Sequence, residues 1–487
     1  MPDGDDVTTP PRRAVVPSPR PPHPSEALPP PGFHPGFHPA AQAGPYPDPW
    51  AVGGPPIEPA RNTLAKGLMV GGALAVVATV ALGAAVVYAE NRTSPAEAAA
   101  PPAAGRKLTP FESVNAMLEL QAAAVVRGDE KAWLAAVDPG RPKLRSRYRM
   151  MFQNLRALGV SHFAYQTSLR DRMGDGPKLG ISADVAYCFA DDVCTREKGV
   201  DSDGPPSVGQ TLTLESIDGN WVITALTSRK GDKDEQKVPW ESSALVTARG
   251  SRVTLVGTRT EQKYFARVLP IADRAATVND RFAGLVGNPQ KRYRIYLAGA
   301  KQWKTWYGGI TDKWVVGYAL PLRQAGTDVV LNMPELKSDP QLLSTTVQHE
   351  LGHVVTVGNL HRRTYGQSDM WLKEGIAEYI GWYPQPASAS WRRQSVSDAV
   401  HGSRPPTSIA VKALSADARS EDGDAFYGLG HFAADCLAKK YGQRALFTFV
   451  RMYLREDRDL DPASQQAFGK PFKTVDRSCV TWIRDRA

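Results

Sequence analysis

Of the 40 prolines in this 487-residue chain, 19 stand before residue 60, and that crowding separates what can fold from what cannot. Each proline removes a backbone donor and fixes φ. Residues 1–62 have Gly and Ala between the prolines and no sustained hydrophobic period, so they cannot bury enough apolar surface to offset chain entropy. They read as a disordered Pro-rich tail. The tandem repeat inside it, Pro31-Gly32-Phe33-His34 and Pro35-Gly36-Phe37-His38, is taken as polyproline-like low complexity rather than as a metal or partner site. The whole chain is 42% hydrophobic and 22% charged, which is ordinary for a globular protein. A net charge of +9 over this length is too dilute to mark a nucleic-acid partner. The four cysteines form neither a C-x-x-C nor a zinc-finger spacing.

Gly67 to Tyr88 is a run of 22 residues without a charge, long enough as a helix to span ~33 Å. The expectation is a single transmembrane helix over 63–89, with the lipid bilayer as partner and an Ala/Pro linker, 90–107, behind it. Arg61 and Lys66 precede the run while Arg92, Arg106 and Lys107 follow it, so flanking charge does not orient it. Cysteine placement does. Cys188 with Cys194 and Cys436 with Cys479 are placed to pair, and with both disulfides formed everything after the span lies outside the cytoplasm. Four buried free thiols are the alternative. The expected placement is therefore a single-pass cell-membrane protein, its Pro-rich tail cytoplasmic and the rest extracytoplasmic.

Beyond the linker the fold class reads as α+β, in two parts. Residues 108–230 begin with helical patterning around Val114–Leu120, Arg127–Leu134 and Leu144–Leu158. Strand-like runs follow at Ser161–Leu169, Gly180–Phe189, Gln210–Ser216 and Trp221–Ala225, the last two joined by an Asp218-Gly219-Asn220 turn. That order, with RGDEKAWLAAVDP, resembles the nuclear-transport-factor-2-like cone fold, which implies a spacer or interaction module. In residues 246–487, strands at Val253–Val256 and Tyr293–Leu297 flank a helix between Glu261 and Leu285. Another strand is expected at Thr327–Met333, and the remainder is helical.

The chemistry is concentrated in Gln348-His349-Glu350-Leu351-Gly352-His353. Asp339 before Pro340 is a helix start and Gly358 a stop, so His349 and His353 lie one turn apart on one helical face. Two imidazoles so placed can share a Zn²⁺, and Glu350 beside them can take a proton from the bound water. A third ligand is offered by Glu374 in Met370–Tyr379, a stretch that forms a second helix. Glu378 shares its face, so that one carboxylate binds zinc and the other accepts the outer N–H of a ligand histidine.

HELGH and WLKEGIAEY, with twenty residues between His353 and Glu374, resemble the zinc motif of the gluzincin metallopeptidases of the peptidase MA type. The resemblance implies His349, His353 and Glu374 as metal ligands, Glu350 as general base and Glu378 as the acid behind a ligand histidine. It implies hydrolysis of peptide bonds in a peptide or protein substrate. No G-x-M-E-N precedes the zinc helix, which leaves exopeptidase action unsupported. The metzincin continuation is absent as well, and His361 is a loop histidine rather than a ligand. Downstream, Phe426–Phe432 resembles the tyrosine-bearing helix of the group, implying that Tyr427, or else His431, steadies an oxyanion. The strand 327–333 is expected to pair with an extended substrate. The competing reading is a non-catalytic, membrane-anchored binding or assembly protein with a structural or vestigial zinc site.

Overall fold

The structure, a computed structural model, describes residues 108–171, 177–194, 204–228, 237–310, 315–323, 325–358, 369–415 and 418–487. The tail 1–62, the apolar run 63–89, the linker 90–107 and His361 lie outside the described residues.

The first lobe opens with α1 (Pro110–Arg127), α2 (Glu130–Ala135) and α3 (Pro142–Ala157). Thr109 caps α1 through a reciprocal box with Glu112, satisfying two donors that the first turn leaves open. The helices lie on a four-stranded antiparallel sheet in sequence order, β1 (Val160–Asp171), β2 (Lys178–Phe189), β3 (Ser207–Ile217) and β4 (Asn220–Ser228). The expected turn joins β3 to β4, with Asp218 and Gly219 at positive φ. A one-turn helix, Pro239–Ser242, fills the interior of this lobe: Trp240 stacks edge-on against Phe163 and Tyr187, and Glu241 accepts from Arg147 and Gln210.

The second lobe is built on a five-stranded sheet. Its strands are β5 (Val246–Arg249), β6 (Val253–Gly257), β7 (Tyr293–Ala298), β8 (Gly317–Leu322) and β9 (Gly326–Asn332), in the spatial order β5-β6-β7-β9-β8. The three central strands are parallel and both edges run antiparallel to them. Every residue of β6, β7 and β9 is buried, because alternate side chains point to opposite faces and both faces are covered. Leu255, Ile295, Leu297, Val329 and Leu331 face one core, which they share with α4 (Phe265–Val286), α5 (Pro340–Val357) and α6 (Met370–Trp382). Val256, Tyr296, Ala298 and Val330 face the other, which they share with the first lobe. The helical remainder is α7 (Arg393–His401), α8 (Ser420–Tyr441), α9 (Gln443–Val450), α10 (Leu460–Phe468) and α11 (Phe472–Arg484). Both expected cysteine pairs are joined: Cys188–Cys194 closes a loop in the first lobe, and Cys436–Cys479 ties α8 to α11.

Two expectations are corrected. Among the described residues no helix is long and apolar enough to cross a membrane. The longest, α4 and α8, have 22 residues each and are broken by charges such as Arg267, Asp273, Arg274, Asp280 and Arg281 in α4. Among the described residues the architecture is mixed α/β with no membrane-spanning helix, and the single-pass, extracytoplasmic placement, which rested on the 63–89 run outside them, is withdrawn. The strand 327–333 also cannot take up a substrate, because β9 is bonded on both sides, to β7 and to β8. The strand at 317–322 was not anticipated, and its outer side is the free edge of the sheet.

Candidate metal centre and cleft

The Asp339 carboxylate accepts from the amides of Gln341 and Leu342, at 2.9 Å each, and Pro340 occupies the first helical position of α5. The helix so started holds His349 and His353 one turn apart. Against it packs α6, and the third helix of the site, α8, crosses α6 where two glycines meet. A Cβ on Gly430 would lie 2.8 Å from the Gly375 Cα and 3.0 Å from the Trp371 carbonyl oxygen. Only backbone against backbone permits that approach, and it brings Glu374 of α6 and Tyr427 of α8 to one cleft.

Three side chains converge. The Nε2 atoms of His349 and His353 are 3.1 Å apart, and Glu374 Oε2 lies 3.5 Å from the first and 3.2 Å from the second. A tetrahedral zinc with ligands at ~2.0–2.1 Å requires ligand atoms roughly 3.3 Å from one another. The triangle of two nitrogens and one oxygen has that size, so the donor set fits the ion in number, kind and spacing. Behind the triangle, Glu378 Oε1 lies 3.1 Å from His349 Nδ1. That contact keeps the proton on Nδ1 and leaves the Nε2 lone pair toward the centre. Glu378 is itself held by Arg392, with Oε2 3.1 Å from Nη1.

A proton on His349 takes the place in the triangle that a metal ion would fill. Burial alone would lower the pKa of His349, but hydrogen bonds to Glu374 and Glu378 and the charges around them raise it to about 10. Burial opposes ionisation of Glu378 as well, yet Arg392 and His349 hold it down at about 2. Glu374 is lowered below the usual carboxylate range by the two histidines, again against burial. Glu350 differs: burial raises it, with the histidines only partly opposing. Its Oε2 has no hydrogen-bond partner. With the imidazoles neutral, Glu350, Glu374 and Glu378 bring three carboxylates to the centre against the Arg392 guanidinium and the Lys373 ammonium.

The centre opens into a cleft of about 400 Å³. Its walls are mostly apolar, among them Val315, Tyr318, Pro321, Val357 and Met370, and His349, Glu350, His353, Glu374 and Tyr427 line it too. Past Glu350 it continues into a slot beside Trp382, Trp391 and Arg392. The ring of Tyr427 is 6.1 Å from that of His349 and carries Arg392 5.3 Å above it. Burial and the neighbouring glutamates hold its phenol well above the ordinary range, so the hydroxyl keeps its proton. His431 lies elsewhere. It is 1% exposed, its ring nitrogens meet no partner, burial lowers it to about 4, and it lines neither part of the cleft. Arg392 escaped the sequence reading, because nothing local marks an arginine 14 positions beyond the glutamate it grips.

No protein-family model and no characterised protein matches the chain in sequence. Among solved structures it is similar to yeast LTA4 hydrolase in complex with bestatin, at TM-score 0.29 and 16% identity, over 65% of this chain and 56% of that one. It is similar also to native yeast LTA4 hydrolase, at TM-score 0.29 and 12% identity over 65% and 62% of the two chains. Native leukotriene A4 hydrolase from Saccharomyces cerevisiae gives TM-score 0.29 and 13% identity over 64% and 60%. The chain thus spans about three fifths of the length of these structures. Likenesses of that size carry no weight as to activity, which has to be argued from the residues above.

Proposed function

We propose that the chain is a zinc-dependent peptidase. The observation that carries this reading is the convergence of His349, His353 and Glu374 at tetrahedral spacing beside a buried glutamate whose outer oxygen is unpartnered. Zinc, when bound by these three residues, supplies Lewis acidity and an acidified water. The chain does the rest. Glu350, inside the cleft, accepts the proton of the attacking water and returns it to the departing amine, a role suited to a carboxylate whose pKa is raised by burial. The Tyr427 hydroxyl, fully protonated, donates to the oxygen on which negative charge develops. Glu378, anchored by Arg392, fixes the His349 ring so that its Nε2 lone pair stays aimed at the centre. An extended peptide lies along the free edge of β8, which borders the cleft through Gly317, Tyr318 and Ala319, and adds to the sheet by main-chain hydrogen bonds.

Glu350→Gln tests this. The variant is expected to bind zinc with the affinity of the parent and to cut a peptide library at least 10³-fold more slowly. Equal cleavage by parent and variant, or no zinc in either, would return the chain to the binding or assembly reading.

A further inference from the structure

The loop closed by Cys188–Cys194 does not belong to the cleft, yet each residue between Ala190 and Cys194 contacts the five-stranded sheet whose edge strand β8 walls it. Val193 donates its amide to the Ala325 carbonyl at 2.6 Å. Asp191 meets Arg249 at 3.4 Å. Asp192 meets the buried Arg294 at 3.2 Å, and Arg294 grips Asp328 of β9 at 2.5 Å. The Phe189 ring, next to the disulfide, lies 4.6 Å beneath the same guanidinium. The fit is close: a Cβ on Gly326 would stand 2.5 Å from Asp192 Oδ1. Below the loop lies a cavity of about 100 Å³, lined by Asp192, Val193, Arg294 and Gly326 among others. The loop's position rests on the disulfide, on these polar contacts and on its own turn, in which the Asp192 amide donates to the Phe189 carbonyl and Asp192 Oδ2 accepts from the Phe189 amide, at 3.0 Å each.

What the loop holds is the turn of the β8–β9 hairpin. Ala325 closes that turn on Leu322, and among the described strands β8 pairs with β9 alone, with the α5 residues Thr346 and Glu350 beside Gly317. At its far end, roughly 17 Å along the strand, Gly317 lies so close to Glu350 that a Cβ there would be 2.9 Å from Oε1. The two disulfides differ in access. Cys436, Cys479 and Cys188 are fully buried, whereas Cys194 is half-buried beside Val193, which is 50% exposed, so the 188–194 bridge alone has a partly exposed end. A small thiol reaches the 188–194 bridge first.

We infer that the Cys188–Cys194 loop is a redox-sensitive clasp, and that its reduction by a dithiol loosens the β8–β9 hairpin that walls the cleft. In the step, the Sγ–Sγ bond breaks, the dithiol delivers two electrons and two protons to the two cysteine sulfurs, and it leaves as its own disulfide. The Asp192–Arg294–Asp328 contact then loses the covalent closure that holds Asp192 in place.

Amide hydrogen exchange on the full chain tests the clasp without reference to hydrolysis, so it can fail or succeed independently of the peptidase reading. In Cys188→Ser/Cys194→Ser, and in the parent treated with dithiothreitol under native conditions, those amides of 317–320, 322 and 326–328 that bond across the hairpin are expected to exchange at least tenfold faster. Asp192→Ala, with the disulfide intact, should do the same. Cys436→Ser/Cys479→Ser should leave the hairpin unchanged relative to the rest of its sheet. Hairpin exchange within twofold of the parent after 188–194 reduction and in Asp192→Ala overturns the inference, as does equal acceleration of the whole sheet. If the double serine variant does not fold, the reduced parent and Asp192→Ala decide alone.

Discussion

The crossing of α6 and α8 at Gly375 and Gly430 permits a quantitative test of how the third ligand is positioned. In Gly430→Ala the new methyl would begin 2.8 Å from the Gly375 Cα, whereas carbon atoms rest at about 3.5–4.0 Å. The helices must part by roughly 0.7–1.2 Å, and Glu374 adjoins the contact point. Metal sites tolerate about ±0.2 Å in ligand position, so the displacement exceeds the tolerance several times over. Stability is the poorer readout: overpacking costs about 1–3 kcal/mol, while alanine regains about 1 kcal/mol of helix propensity, leaving a net loss of about 0–2 kcal/mol. Zinc affinity is the better one. Competition against a chromophoric chelator should show Kd raised at least tenfold, with far-UV circular dichroism unchanged. A Gly430→Ala protein that binds zinc as tightly as the parent would mean that the crossing does not set the position of Glu374.

Replacing Glu378 with Gln removes the charge that fixes His349 and should weaken zinc binding about 10–100-fold, measured by the same competition; an unchanged Kd would exclude Glu378 from the metal's support. His431 makes the stability of the fold acid-sensitive. Its folded pKa is depressed to about 4 from an unfolded value near 6.5, so its contribution is complete above pH 6.5 and is lost as pH falls toward 4. The difference amounts to about 3 kcal/mol. Chemical denaturation at pH 7 and pH 4 should show a smaller acid loss in His431→Gln than in the parent, and equal losses would refute the assignment. Removing Cys436–Cys479, which spans 43 positions, should cost about 4 kcal/mol by loop entropy, visible as a lowered denaturation midpoint.

The convergence of His349, His353 and Glu374, a group able to hold a metal ion, was legible because each half of it is local. A capped helix places His349 and His353, a second helix places Glu374 and Glu378, and a 3.6-residue period needs no long-range information. β6, β7 and β9 were legible for a similar reason, since strands buried on both faces read as unbroken apolar runs. The two edge strands were not. β8 contains Pro321, which argues against a strand except at an edge, and β5 is four residues with alternate positions exposed. Arg392 and the Asp192–Arg294 contact were invisible because each joins residues that only the fold makes neighbours. The 63–89 run shows the opposite error. Apolar length alone suggested a membrane span there; that run lies outside the described residues, and no helix among those described is long and apolar enough to supply one.

The central sheet of the second lobe has two owners. The metal-bearing helices cover one side, and the other is sealed by the lobe that precedes it, where Tyr296, Trp303, Trp306 and Val330 are buried. A fragment cut at residue 246 would carry the whole metal centre and yet present those rings to water. Such a fragment should be sticky and poorly soluble even though no ligand is missing. The first lobe is thus part of the smallest piece of this chain able to fold around the candidate centre, and a fragment without it would fail for want of a wall, not of a ligand.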